Sequence, residues 1–141
     1  MPMQGGAEFN AALAGRIAAA RAVTDLAVKA AAEQVARDTV DKLMLKEHAR
    51  RTPTPSSPGE PPAMITGALK SSVTVTPVTH VGLDRFEAKV GPTKVYARIQ
   101  ELGGTAGRGA RLPARPYLKP AFQEARHKVG AIFRAMWATI R

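Results

Sequence analysis

The sequence has no cysteine, and that excludes disulfide stapling, thiol chemistry and every zinc site that needs thiolate ligands. Aromatic residues make up only 5% of its 141 positions. Proteins that grip single-stranded nucleic acid by stacking need more aromatic platforms than that. No run approaches the ~18 uninterrupted apolar residues that would suggest a membrane span. The opening "MPMQGGAEFN" carries neither a basic n-region nor an apolar h-region, so no signal peptide is expected. Acidic residues are also scarce, at 11 against 21 lysines and arginines.

What remains is a basic, alanine-rich chain of single-domain length. Apolar residues reach 45%, but much of that is alanine, so the expected core is thin and partly built at interfaces. The net charge of +10 favours an anionic partner: nucleic acid, an acidic protein surface or anionic lipid.

Residues 7–51 read as one long helix. Alanine dominates, no proline interrupts, and Phe9, Leu13 and Ile17 open an apolar stripe that Val28, Ala31, Val35 and Leu43 continue. Arg21, Asp25, Lys29, Glu33, Arg37 and Asp41 alternate in sign at four-residue spacing. Each neighbouring pair can form an i,i+4 ion pair worth roughly 0.2–0.5 kcal/mol. Such a ladder drifts about 40° per step around the helix. It suits a solvated face, or a rod that projects from the body or packs on other subunits.

Residues 52–66 form a loop: "TPTPSSPGEPPAM" holds five prolines. Residues 67–141 read as an α+β body. "TGALKSS" can form one helical turn capped by Thr66. "SVTVTPV" and "DRFEAKV" alternate like half-buried strands and predict an antiparallel hairpin over about 72–90, turned by "THVGLD". "TKVYARIQEL" predicts a short helix with Val95, Ile99 and Leu102 on one face. "GGTAGRGA", with four glycines, is flexible or shaped for close approach. Phe122, Ala125, Val129, Ile132, Phe133, Met136, Trp137 and Ile140 mark an amphipathic last helix, packed on the sheet, with Pro120 at its first position.

Before that helix stands "RLPARPYLKP", residues 111–120. Each proline fixes its own φ and biases the preceding residue, here Leu112, Arg115 and Lys119, towards extended backbone. The segment reads as a rigid strut that aims Arg115 and Tyr117.

Enzymatic constellations are missing. His48, His80 and His127 lie in different elements, without neighbours at metal-ligand spacing. There is no phosphate-binding loop and no nucleophile elbow. The expectation is a non-enzyme with no catalytic residue, no cofactor and no metal.

Three stretches together resemble a known family. "SPGEPPAMITGALKSSVTV" resembles Pro-Gly-x-Pro-Pro, then Thr-Gly-x-Leu, then Ser before a strand. "VYARIQELGG" resembles Tyr-Ala-x-x-x-Glu-x-Gly, and "PARPYLKPAF" resembles Pro-x-Arg-Pro-aromatic-Leu-x-Pro-Ala. In this order they resemble the neck, or tail-completion, proteins of long-tailed bacteriophages, over about residues 55–137. The glycine-rich stretch 103–110 is longer and more basic than that pattern.

The resemblance implies a ring at the head–tail junction of the virion, assembled in the host cytoplasm. Six-fold symmetry is favoured and twelve-fold is possible. Its neighbours would be a head-side connector or stopper protein and a tail terminator or tail tube, with DNA passing through the lumen unread and no membrane partner. Two alternatives stay open: a tail terminator or phage Mu-type virion morphogenesis protein, and a free basic nucleic-acid-binding protein.

The expected structural residues are Arg115, Pro116, Tyr117, Glu101 and Tyr96. Arg115 is expected to pair with Glu101 first or Glu124 second, because a planar guanidinium can grip a carboxylate bidentately. Arg108 and Arg111 are expected to face DNA or a partner.

Overall fold

The computed structural model describes residues 5–51 and 56–140. Residues 52–55 of the expected proline-rich loop lie outside that range. The elements are α1 (Gly6–Leu43), α2 (Ala68–Ser71), β1 (Val73–Val75), β2 (Thr79–Val81), β3 (Arg85–Glu87), β4 (Val90–Pro92), α3 (Ala97–Leu102), β5 (Gly104–Thr105), β6 (Arg111–Leu112) and α4 (Leu118–Trp137). The chain is a long helix, small antiparallel sheets, a short helix and a C-terminal helix, the α+β plan expected from the sequence.

Helix α1 runs 38 residues, about 57 Å at 1.5 Å per residue. It stops at Leu43, not at 51. No breaker sits in residues 44–51; a tertiary partner ends the helix. Met64 donates its N–H to the Lys46 carbonyl at 2.8 Å and accepts from His48 N–H at 2.8 Å, forming a parallel bridge with Glu47. Lys46 also reaches Glu60 at 2.6 Å, and its ammonium holds that carboxyl below the usual carboxylate range. Pairing with the proline-bounded segment thus satisfies backbone groups that a further helical turn would have used.

The hairpin forms as expected, but with a break. β1 pairs with β4 (Val73 opposite Pro92) and β2 with β3 (Thr79 opposite Glu87). Three residues, 76–78, face two, 88–89, across the break, so one extra residue is inserted beside Pro77. This is a β-bulge, and it lets a proline sit in the strand without leaving a ladder bond unmade. Thr76 closes the gap: its N–H donates to the Lys89 carbonyl at 2.9 Å and its hydroxyl accepts from Lys89 N–H at 2.8 Å. The turn is narrower than "THVGLD", since Thr79–Val81 belong to β2, and Gly82 supplies the positive φ of +75°.

Helix α4 lies chiefly along α1, where the packing between elements is most extensive. The core is thin, as the composition implied. Its buried apolar residues are Ala27, Ala32, Val35, Leu43, Ala97, Tyr117, Ala121 and Ala125. Small residues let the two helices approach closely. Their edges are tied by Lys128 to Asp38 at 2.7 Å and Lys42 to Glu124 at 2.5 Å.

The expected ion-pair ladder on α1 does not form among the described residues. Asp25 turns to His80 on β2 at 3.0 Å, and Arg21 donates to the Leu83 carbonyl at 3.2 Å. An exposed i,i+4 pair is worth too little to hold long side chains against such partners.

Candidate functional site

The strut 111–120 is bonded to two other segments of the chain. Its backbone is stitched on both sides: Gly59 N–H donates to the Ala114 carbonyl at 2.9 Å, and Arg115 N–H donates to the Gln100 carbonyl at 2.7 Å. The "PGEPP" loop, α3 and the strut therefore meet at one node. Three stretches far apart in sequence were singled out by the same family-like pattern, and these are the ones brought together.

Glu101 does not pair with Arg115. Its Oε2 accepts from Tyr117 N–H at 2.8 Å and Leu118 N–H at 2.9 Å, and its Oε1 accepts from Lys119 N–H at 2.8 Å. Pro120 has no N–H, and Ala121 N–H begins the helical ladder by donating to the Tyr117 carbonyl at 3.4 Å. Every backbone donor at the start of α4 is thereby accounted for. A carboxylate borrowed from α3 caps α4, where the helix dipole favours negative charge. Helix α4 begins at Leu118 rather than Pro120, so Lys119 is helical despite preceding a proline. The pre-proline bias is a preference, and the Glu101 bond outweighs it.

The remaining expected residues fall into two groups. Tyr117 is almost fully buried, with 1% of its surface exposed, and its hydroxyl donates to the Ala97 carbonyl at 3.2 Å. Burial first, then the nearby Glu101 charge, pushes its pKa up to about 12. Pro116 is half-buried beside it. Arg115 is half-buried too, and its Nε is buried with no hydrogen-bond partner. Both carboxylates expected for it are occupied, Glu101 by backbone N–H groups and Glu124 by Lys42. Tyr96 lies one turn away at the start of α3 and lines an apolar cavity of about 280 Å³ with Leu43, Pro62 and Met64.

Gly103 is the residue the sequence pointed to without naming its role. Its φ is +69°, and a Cβ there would stand 2.7 Å from Ala114 N and 2.9 Å from the Leu112 carbonyl oxygen. The close approach is made to the strut itself. Beyond it, β5 and β6 form a small antiparallel hairpin with Thr105 opposite Arg111. Arg108 sits at its tip with φ +63°, and both Arg108 and Arg111 are exposed.

Two apolar surfaces are left uncovered by the chain. Residues 5–19 of the chain are exposed throughout, so the first turns of α1 project from the body. Phe9, Leu13 and Ile17 on that projection are 68%, 47% and 48% exposed. Farther along, α1, the main hairpin and α4 leave an open groove of about 320 Å³ lined by Val28, Val35, Phe86, Phe122, Val129 and Phe133. Val95 and Leu102, expected on one helix face, are also exposed.

Among the described residues no group of three or more His, Asp or Glu side chains could hold a metal ion, and no helix is long and apolar enough to cross a membrane. No family model, curated protein or solved structure matches the chain.

Proposed function

We propose that this protein is a non-enzymatic structural component of a long-tailed phage, forming a ring in the neck that joins the head connector to the tail and lets DNA through. The observation that carries this reading is the projecting start of α1. A cysteine-free chain with a thin alanine core leaves Phe9, Leu13 and Ile17 bare on the exposed first turns of a helix whose later turns pack on α4. Exposed apolar surface of this kind is characteristic of subunits that complete one another. The family-like stretches support the same reading, because they coincide with the node of Gly59, Gln100, Glu101 and the strut.

The charge of +10 then serves a ring that handles a polyanion without reading its sequence. Arg108 and Arg111, displayed on the β5–β6 hairpin, are the residues assigned to the lumen or to an acidic neighbour.

Deletion of the gene from the phage or prophage that carries it tests the reading. Filled heads and complete tails that fail to join are expected, with joining restored by the gene supplied in trans. Normal, infectious particles from the deletion would overturn it.

A further inference from the structure

We infer that the projecting start of α1 of one copy docks into the groove between α1, the main hairpin and α4 of the next copy. The donor face is Phe9, Leu13 and Ile17; the acceptor is the groove lined by Val28, Phe86, Phe122, Val129 and Phe133.

Both faces are apolar, both are left open by the chain, and both belong to the same molecule. They cannot satisfy one another internally. Ile17 and Val28 stand about 16 Å apart along a single helix, and a continuous hydrogen-bonded helix cannot fold back on itself. Contact between them is therefore intermolecular.

A different patch meets each side of that contact, which makes it heterologous. Such contacts generate rings when the rotation closes and filaments when it does not. Two copies packed stripe to stripe would bury only one of the two faces and leave the groove open. Charge favours the cross pairing as well. Glu8 borders the stripe and Arg126 lines the groove. Neither makes an ion pair among the described residues.

Size sets how the contact behaves. The projecting turns present a face about 21 Å long and ~10 Å wide, on the order of 200 Å². That is about a quarter of the ~800 Å² per partner in a stable pair. A single contact is weak, and closure, which engages every copy twice, supplies the rest. The inference deepens the ring reading and needs that reading only for closure.

The chain's lack of cysteine makes the test clean. Leu13→Cys and Phe122→Cys proteins, one carrying a mass tag, are mixed in buffer of moderate salt at the highest soluble concentration. They are then treated with a short bismaleimide. Circular dichroism checks that each variant is folded; both sites are exposed in the subunit.

The expected product is the mixed dimer, in clear excess over either self-dimer and over a mixture of Leu13→Cys with Arg108→Cys. Ile17→Asp in the donor should lower its yield about ten-fold or more, because a carboxylate would enter an apolar groove. Glu8→Arg in the donor should also lower it, and Arg126→Glu in the acceptor should restore it. A mixed product no greater than the Arg108→Cys control overturns the inference, and so does a predominance of Leu13–Leu13 product.

The two readings fail separately. Absent cross-linking beside unjoined heads and tails in the gene deletion would remove this contact and keep the neck reading. Strong cross-linking beside normal deletion particles would do the reverse.

Discussion

Removing the Glu101 carboxylate should destabilise the subunit strongly, although the residue is neither in the apolar core nor part of an ion pair. It accepts three backbone N–H groups at 2.8–2.9 Å, all at the start of α4. Loss of an ordinary N-cap costs about 0.5–2 kcal/mol. A carboxylate at a partly buried helix N-terminus contributes up to ~2 kcal/mol more through the helix dipole. Glu101→Ala should therefore lower stability by about 1–4 kcal/mol. Glu101→Gln keeps one oxygen that can accept from Tyr117 and Leu118 but turns an amide towards Lys119 N–H, so about 1–2 kcal/mol should go.

Urea unfolding followed by circular dichroism, with m unchanged, gives both numbers. A double-mutant cycle between Glu101→Ala and Arg115→Ala separates the two possible anchors. If Glu101 acts through the backbone, as the geometry has it, the coupling is below about 0.5 kcal/mol. Stabilities of Glu101→Ala and Glu101→Gln within 0.5 kcal/mol of the parent, or a coupling above about 1 kcal/mol, would refute the capping account.

Three further outcomes follow from the same node. Tyr117 is an acid whose folded pKa, about 12, lies above its unfolded value near 10. Its contribution is thus complete below pH 10 and lost as the pH rises from 10 to 12, by up to about 2.7 kcal/mol. Tyr117→Phe should be less stable by about 0.5–1.5 kcal/mol at pH 7 but should lose less between pH 10 and 12, which alkaline urea titrations would show. Arg115→Met should leave the isolated subunit within about 1 kcal/mol of the parent, since it removes a buried Nε that has no partner; a loss above 3 kcal/mol in urea unfolding would reveal a buried ion pair. Gly103→Ala should cost about 3 kcal/mol or more, because strained backbone and a 2.7 Å contact coincide there, while Gly107→Ala, with nothing within 4 Å, should be neutral in the same thermal melt.

Much of the fold was legible in local patterns. The stripe from Phe122 to Trp137 marked α4, and alternation around Val73–Val75 and Arg85–Glu87 marked the hairpin. What escaped depended on distant partners. The end of α1 at Leu43 comes from Met64 claiming the backbone of Lys46 and His48. The bulge had a visible cause, Pro77, but its register depends on what faces it across the hairpin.

At the node the sequence pointed to Glu101 and Arg115 and joined them wrongly. Opposite charges suggest a pair, yet unsatisfied N–H groups at a helix start compete for the same carboxylate, and backbone donors do not show in a residue pattern. Phe9, Leu13 and Ile17 taught the reverse lesson. Helical periodicity marked an apolar face correctly but could not say whether the subunit itself covers it.

Cryo-electron microscopy of the head–tail junction in particles of the phage that carries the gene tests the central claim most directly. A ring of copies of this chain is expected between connector and tail, with six-fold symmetry favoured, each long helix seated on its neighbour and the β5–β6 hairpins with Arg108 and Arg111 turned to the lumen or to an acidic adjoining ring. A fully traced junction with no density for a 38-residue helix packed on a 20-residue one would contradict it.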